Sequence, residues 1–141
     1  MTVKDMSNKE LFDEVRALGL PDGGYALFGS APMGIRGIKE CRDADILATE
    51  SLWAEFERKE GWIAGTADDG SRFLSKGNLE LWKDWAPGEW DVPKLIGEAE
   101  TIDGLRFVRL ETVREWKARR GKEKDLMDIA AIDGYVEARK A

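Results

Sequence analysis

The sequence predicts a single α/β (α+β) domain, a mixed β-sheet flanked by helices. Its 141 residues suffice for one domain that buries a core without disulfide or metal staples. Hairpin signals and helix boundaries interleave along the chain, which mixes antiparallel pairs with crossover connections. No internal repeat or low-complexity linker interrupts it, so the domain is read over 1–141 with its core at about 7–136.

Ser7 and Glu10 form a capping box, and Leu11, Val15 and Leu18 recur at helical spacing up to Gly19. The turn "PDGG" leads to a short buried strand at Tyr25 to Phe28. A brief helix follows Ser30, where Pro32 is tolerated in the first turn. "DADILAT" is the next strand, and Thr49 caps a helix carrying Leu52, Trp53 and Phe56 that Gly61 stops. "WIAG" and "RFLS" flank a hairpin turn at Asp69-Gly70, and "NLELW" is a further strand. Asp91 and Pro93 start a short helix through Ile96, and Asp103-Gly104 turns a second hairpin. Two helices close the chain. One runs from Glu111 to Arg120, and the other starts near Lys122 with Leu126, Ile129, Ile132 and Val136 on its apolar stripe.

Composition narrows the chemistry. The chain has no histidine, which excludes histidine triads, histidine bases and His-dependent metal sites. A metal must then be held by carboxylate oxygens, which favours magnesium or manganese over zinc. The lone Cys41 permits no internal disulfide, and with no base supplied it is not read as a nucleophile. No apolar run approaches the roughly eighteen residues of a membrane span. The N-terminus lacks signal-peptide character, so the expected setting is cytoplasmic and away from membranes. A net charge of −6 argues against a general nucleic-acid coat. Residues 105–124 nevertheless carry eight basic residues against three glutamates, and an RNA-binding factor using them is one function class to weigh.

The stretch "YALFGSAPMGIRGIKECRDADIL", residues 25–47, carries the most specific chemistry. Residues two apart in a strand share a face, so Asp43 and Asp45 stand side by side about 7 Å apart at Cα. Adjacent carboxylates can flank the metal ions of a phosphoryl-transfer site. Gly29 lets backbone approach a ligand closely, and Ser30 adds a hydroxyl at a strand-to-helix join. Taken alone, the same residues also suit a helix start with Ser30 as N-cap and a solvated strand start at Asp43. "GSAPMGIR" is neither a P-loop nor a dinucleotide fingerprint.

Gly-Ser, a dozen residues, then Asp-x-Asp resembles the nucleotidyltransferase superfamily of the DNA polymerase β type. The segment "DGLRFVRLETVREWKARRGKEKDLMDIAAI" is similar to the tail of small bacterial nucleotidyltransferase-like proteins. There a hydrophobic strand leads to a Lys-bearing helix and a Lys-Asp-x-x-Asp-Ile turn. Together the two segments span about residues 25–132. The resemblance implies a magnesium- or manganese-dependent nucleotidyltransferase that moves a nucleotidyl group from a nucleoside triphosphate to an acceptor hydroxyl. It implies that Gly29 and Ser30 contact the triphosphate and that Asp43 and Asp45 ligate the metal. A third carboxylate, acid/base or ligand, is expected on a neighbouring strand; Glu80 is the candidate, and Asp84, on the same face, is its rival. Acceptors in this superfamily include antibiotics, protein side chains and RNA ends. Small members often look like components of toxin–antitoxin or defence pairs, which implies a protein partner.

Lys117, Lys122 and Lys124 can reach a triphosphate if Asp125 and Asp128 hold them, or else form a solvated helix face. Lys117 is the nucleotide-binding candidate of the three. Trp82, Trp85 and Trp90 cluster around "KDWAPGEW", where they can stack a base, contact a partner or pack over the sheet. The competing function is a binding module, an antitoxin or regulatory subunit with weak or absent catalysis. It is favoured by a glutamate at position 80, where many catalytic members carry aspartate, and by the exposed-looking Trp85 and Trp90.

Overall fold

A computed structural model describes residues 6–86 and 89–140. The loop "KDWAPGEW" is therefore described except at Pro87 and Gly88, and the extreme N-terminus lies outside the described residues. Seven strands, β1 (Tyr25–Phe28), β2 (Ala44–Ala48), β3 (Ile63–Thr66), β4 (Arg72–Lys76), β5 (Leu79–Trp82), β6 (Glu100–Ile102) and β7 (Leu105–Phe107), form one sheet in the order β3-β4-β5-β2-β1-β7-β6. The pairs β2–β5 and β1–β7 are parallel and the others antiparallel, so the sheet is mixed, as expected.

Among the described residues six α-helices complete the fold: α1 (Asn8–Ala17), α2 (Ala31–Gly34), α3 (Glu50–Glu57), α4 (Val92–Gly97), α5 (Leu110–Arg120) and α6 (Glu123–Ala138). Their starts follow local chemistry. The Ser7–Glu10 capping box is reciprocal, Thr49 Oγ1 accepts from Leu52 N–H, and Asp91 accepts from Lys94 N–H. Gly121 ends α5 in the left-handed conformation.

Strand alternation sends side chains to two cores. Leu27, Ile46 and Leu81 face α1 and α3 with Leu11, Val15, Trp53 and Phe56. Ala26, Phe28 and Leu47 face the other way, toward Trp85, Ile96, Val113 and Trp116. The central strands are thus covered on both faces, as parallel strands usually are. Two tertiary hydrogen bonds tie elements across the first core: Trp53 Nε1 donates to Leu81 O at 3.2 Å, and Arg106 N donates to the Tyr25 hydroxyl at 3.1 Å.

Two expectations need correction. The expected apolar stripe of α6 is buried only in its middle: Ile132 is buried and Ile129 half-buried, but Leu126 is 61% exposed and Val136 42%, and Asp125 and Asp128 point inward beside Ile132. Buried ion pairs, described below, set the rotation of this helix. Trp85 is not exposed but 6% accessible, edge-on to Phe28 and tilted against Trp116 with ring centroids 5.0 Å apart in each case. It packs over the sheet. Among the described residues, no helix is long and apolar enough to cross a membrane.

Candidate functional site

The second-core face of the sheet changes character along β2. Leu47 belongs to the apolar cluster, but two and four residues earlier the same face presents Asp45 and Asp43. Register decides their neighbours. Phe28 pairs with Asp45 on one side, and Glu80 pairs with Asp45 on the other. Asn78, 2% exposed, fixes the approach to β2: its side chain donates to Arg42 O at 2.9 Å, and its carbonyl accepts from Ala44 N at 2.9 Å.

Gly29 closes the first side. Its φ is +65°, a region side chains avoid, and a Cβ placed on it would lie 2.6 Å from Asp45 Oδ2. The glycine and the aspartate therefore occupy one site, although sixteen positions separate them. Ser30 begins α2, but its hydroxyl makes no capping hydrogen bond. Instead Ser30 lines a cavity of about 370 Å³ together with Gly29, Asp43 and Asp45.

The same cavity has a basic wall: Lys39, Arg42, Lys117, Arg120 and Lys124 line it, with the carboxylates of Glu40 and Asp128 among them. Three of these cations are held by buried carboxylates of α6. Asp128 accepts from Lys117 Nζ at 2.9 Å and from Lys39 Nζ at 2.9 and 3.1 Å. Asp125, wholly buried, accepts two hydrogen bonds from Arg120, at 2.8 and 2.5 Å, and one from Lys122 N at 3.0 Å. Burial raises the pKa of both carboxylates, but their cationic partners outweigh it and hold them below the ordinary range. Burial in turn draws the Lys117 ammonium below its usual pKa, against the pull of Asp128.

A second cavity, about 230 Å³, lies across the aspartates and shares Asp43, Asp45, Trp116 and Arg120 with the first. Phe28, Trp82 and Trp85 add aromatic surface to it, and Asp69, Glu80 and Asp84 add carboxylates. Burial pushes Asp45 well above the usual carboxylate range, and the charges of Asp43 and Glu80, with a Glu80 side-chain hydrogen bond, push the same way. Asp43 is raised by burial and then by Glu80, with Arg42 and Lys124 opposing.

The expected residues thus divide clearly. Gly29, Ser30, Asp43 and Asp45 converge, and Glu80 joins them as the strand neighbour of Asp45. Asp84 lies beyond the end of β5, exposed at the rim of the aromatic cavity. Lys117 lines the basic cavity already bound to Asp128, and Lys124 lines it too. Lys122 starts α6, and its backbone N–H serves Asp125. Sequence reasoning missed Lys39 and Arg42, because neither periodicity nor a motif places a loop cation against a strand, and it missed Arg120 at the last turn of α5. Adjacency to Asp43 was the available signal for Arg42. The basic surplus over 105–124 is largely paired, since Arg109, Arg114, Lys117, Arg119 and Arg120 each meet a carboxylate. Cys41 is a buried packing residue that donates from Sγ to Ser30 O at 3.4 Å, and burial raises its thiol pKa.

Among the described residues, no three acidic or cysteine side chains converge into a ready-made metal cage. Magnesium needs none, since it is commonly held by one or two carboxylates with substrate phosphates and waters completing the shell. Asp43 and Asp45, oxygen donors at a cleft whose mutual repulsion a cation would relieve, fit that pattern.

No protein-family model matches the chain, and no curated protein or solved structure is significantly similar to it.

Proposed function

We propose that the cleft binds a nucleoside triphosphate with magnesium or manganese and transfers its nucleotidyl group to an acceptor hydroxyl, in the manner of the DNA polymerase β superfamily. The observation that carries this reading is the contact of Gly29 with Asp45, which makes the Gly-Ser turn and the Asp-x-Asp pair one site beside a basic wall. Lys39, Arg42, Lys117, Arg120 and Lys124 offer positive charge where a triphosphate would lie. Asp43 and Asp45 would hold the metal, with Glu80 behind Asp45. The metal, when bound, supplies charge neutralisation on the phosphate oxygens.

The acceptor oxygen forms a bond to the α-phosphorus while the bond to the bridging oxygen breaks and pyrophosphate leaves. The hydroxyl proton passes to Glu80, the carboxylate that neighbours Asp45 across the β2–β5 ladder. Preformed positive charge on the basic wall stabilises the transferring group without reorganisation. Incubation with each α-labelled triphosphate and a cell extract tests the reading. Label should pass to an acceptor in a metal-dependent way and vanish in Asp43→Asn/Asp45→Asn. Transfer that survives the double change would mean that these aspartates are not the site.

A binding module is the second reading. It is favoured by Lys117, which spends its charge on Asp128, and by the glutamate at position 80. It predicts metal-dependent nucleotide binding without label transfer, and a protein partner of toxin–antitoxin or defence type that binds wild type and the double variant alike.

A further inference from the structure

Two cations of the basic wall, Lys39 and Arg42, come from residues 35–43, a connection between α2 and β2 that is neither helix nor strand. Loop cations stand at fixed positions only where other parts of the chain hold their backbone. Arg42 is held through its carbonyl by the Asn78 side chain at 2.9 Å. Lys39 is held from much farther away in the chain. Asn8, the first residue of α1, donates from Nδ2 to Lys39 O at 2.9 Å and to Gly34 O at 3.4 Å. Its Oδ1 accepts from Cys41 N–H at 2.8 Å.

The polarity of these partners fixes the carboxamide. Nδ2 meets two carbonyls and Oδ1 meets an N–H, so a reversed amide would lose all three bonds. The space around it is filled, since a Cβ on Gly34 would lie 2.4 Å from Cys41 Sγ and 3.3 Å from Asn8 Nδ2. Cys41 Sγ in turn donates to Ser30 O at 3.4 Å, which carries the tie on to the Gly-Ser turn. Capping does not account for Asn8, because Ser7 and Glu10 already cap α1. Asn8 lines neither cavity at the aspartates, whereas Lys39 lines the basic one and meets Asp128 at 2.9 and 3.1 Å.

We infer that Asn8 is a positioning residue for phosphate binding. Its carboxamide fixes the backbone of Lys39 and Cys41 against the Gly-Ser turn, so that the Lys39 ammonium meets the phosphates at a preset place. This deepens the proposed nucleotide reading and rests on it. Without the carboxamide, Asp128 still holds the end of the Lys39 side chain, but the backbone beneath it is loose. The ligand must then order the connection as it binds, and affinity falls.

Calorimetry with Mn²⁺ and a non-hydrolysable ATP analogue tests this on wild type, Asn8→Leu, Lys39→Met and the double variant. Asn8→Leu should weaken binding about tenfold, and Lys39→Met at least as much. The double variant should bind no worse than Lys39→Met, because Asn8 acts through Lys39. Asn8→Ala, which removes the same three bonds without adding an apolar side chain, should repeat the loss. Hydrogen exchange at the Cys41 amide should quicken in both Asn8 variants and not in Lys39→Met. Val15→Ala, in the core face of the same helix, separates positioning from general weakening and should leave the affinity unchanged. Additive losses in the double variant would overturn the inference. So would wild-type affinity in an Asn8 variant whose Cys41 amide is released, or an equal loss in Val15→Ala. If wild type ignores the metal–nucleotide complex, the nucleotide reading fails by itself. Inorganic tripolyphosphate on the same proteins then reads the inference separately: the same order of affinities upholds a phosphate site positioned by Asn8, and equal affinities or none overturn it.

Discussion

On one side of Asp45, Lys117, Lys39 and Arg120 hold their charges through Asp128 and Asp125. On the other, Asp43, Asp45, Asp69, Glu80 and Asp84 gather beside Phe28, Trp82, Trp85 and Trp116, with Arg120 the single cation among the described lining residues. The basic wall is internally complete, so its charges stand ready at fixed positions whatever is bound. The aromatic wall is left incomplete: burial and then the neighbouring carboxylates raise the pKa values of Asp43 and Asp45.

The largest expected effect comes from breaking the completed wall. Asp128→Ala leaves Lys117, 2% exposed, as a buried charge whose closest partner is gone, and should cost about 3–5 kcal/mol in urea denaturation. Replacing both partners, Lys117→Met/Asp128→Leu, should recover most of that loss, because an apolar pair needs no desolvation. A double variant no better than the single one would mean that the pair is not what holds α5 to α6.

The join between the walls comes next. Gly29→Ala combines positive-φ strain with a 2.6 Å approach to Asp45 Oδ2 and should cost about 2–4 kcal/mol. Gly37→Ala, at φ +75° with nothing within 4 Å, bears the strain alone and should cost about 1–2 kcal/mol. Equal losses at the two glycines would remove the Asp45 contact from the account.

On the incomplete wall the sign reverses. Asp45 is pushed up by burial, then by Asp43 and Glu80, so the folded protein keeps a proton that the unfolded chain releases above the ordinary aspartate pKa. Stability supplied by that proton is whole below the unfolded value and is lost as pH rises through the folded one. In metal-free buffer, Asp45→Asn should therefore be more stable than wild type at neutral pH and close to it near pH 3, as thermal melts across pH would read. An aspartate that stabilises the neutral fold would contradict this. The smallest effect is at the cavity rim: Asp69→Asn, on an exposed hairpin turn, should shift stability by no more than about 0.5 kcal/mol.

How much of this was legible in the sequence depended on the kind of signal. Strands β1 and β5 and the caps at Ser7, Thr49 and Asp91 follow from local chemistry, and the structure places them where that chemistry does. Asp43 and Asp45 share a face because strand geometry leaves no other choice. The α6 stripe misled because periodicity counts apolar residues, whereas this helix turns Asp125 and Asp128 inward to meet Arg120 and Lys117. A buried ion pair looks like a solvated face until its partner is located. Lys39 and Arg42 reach the cleft from the segment between α2 and β2, whose path no local pattern specifies. The aromatic cavity is half legible: Trp82 and Trp85 stand together in the sequence, whereas Phe28 and Trp116 come from separate elements and meet them only in the folded sheet.

The central claim is that Asp43 and Asp45 bind a metal–nucleotide complex against the basic wall, and calorimetry with Mn²⁺ and a non-hydrolysable ATP analogue tests it most directly. The account predicts saturable binding that needs the metal and disappears in Asp43→Asn/Asp45→Asn. Binding of equal strength without the metal, or by the double variant, would contradict it.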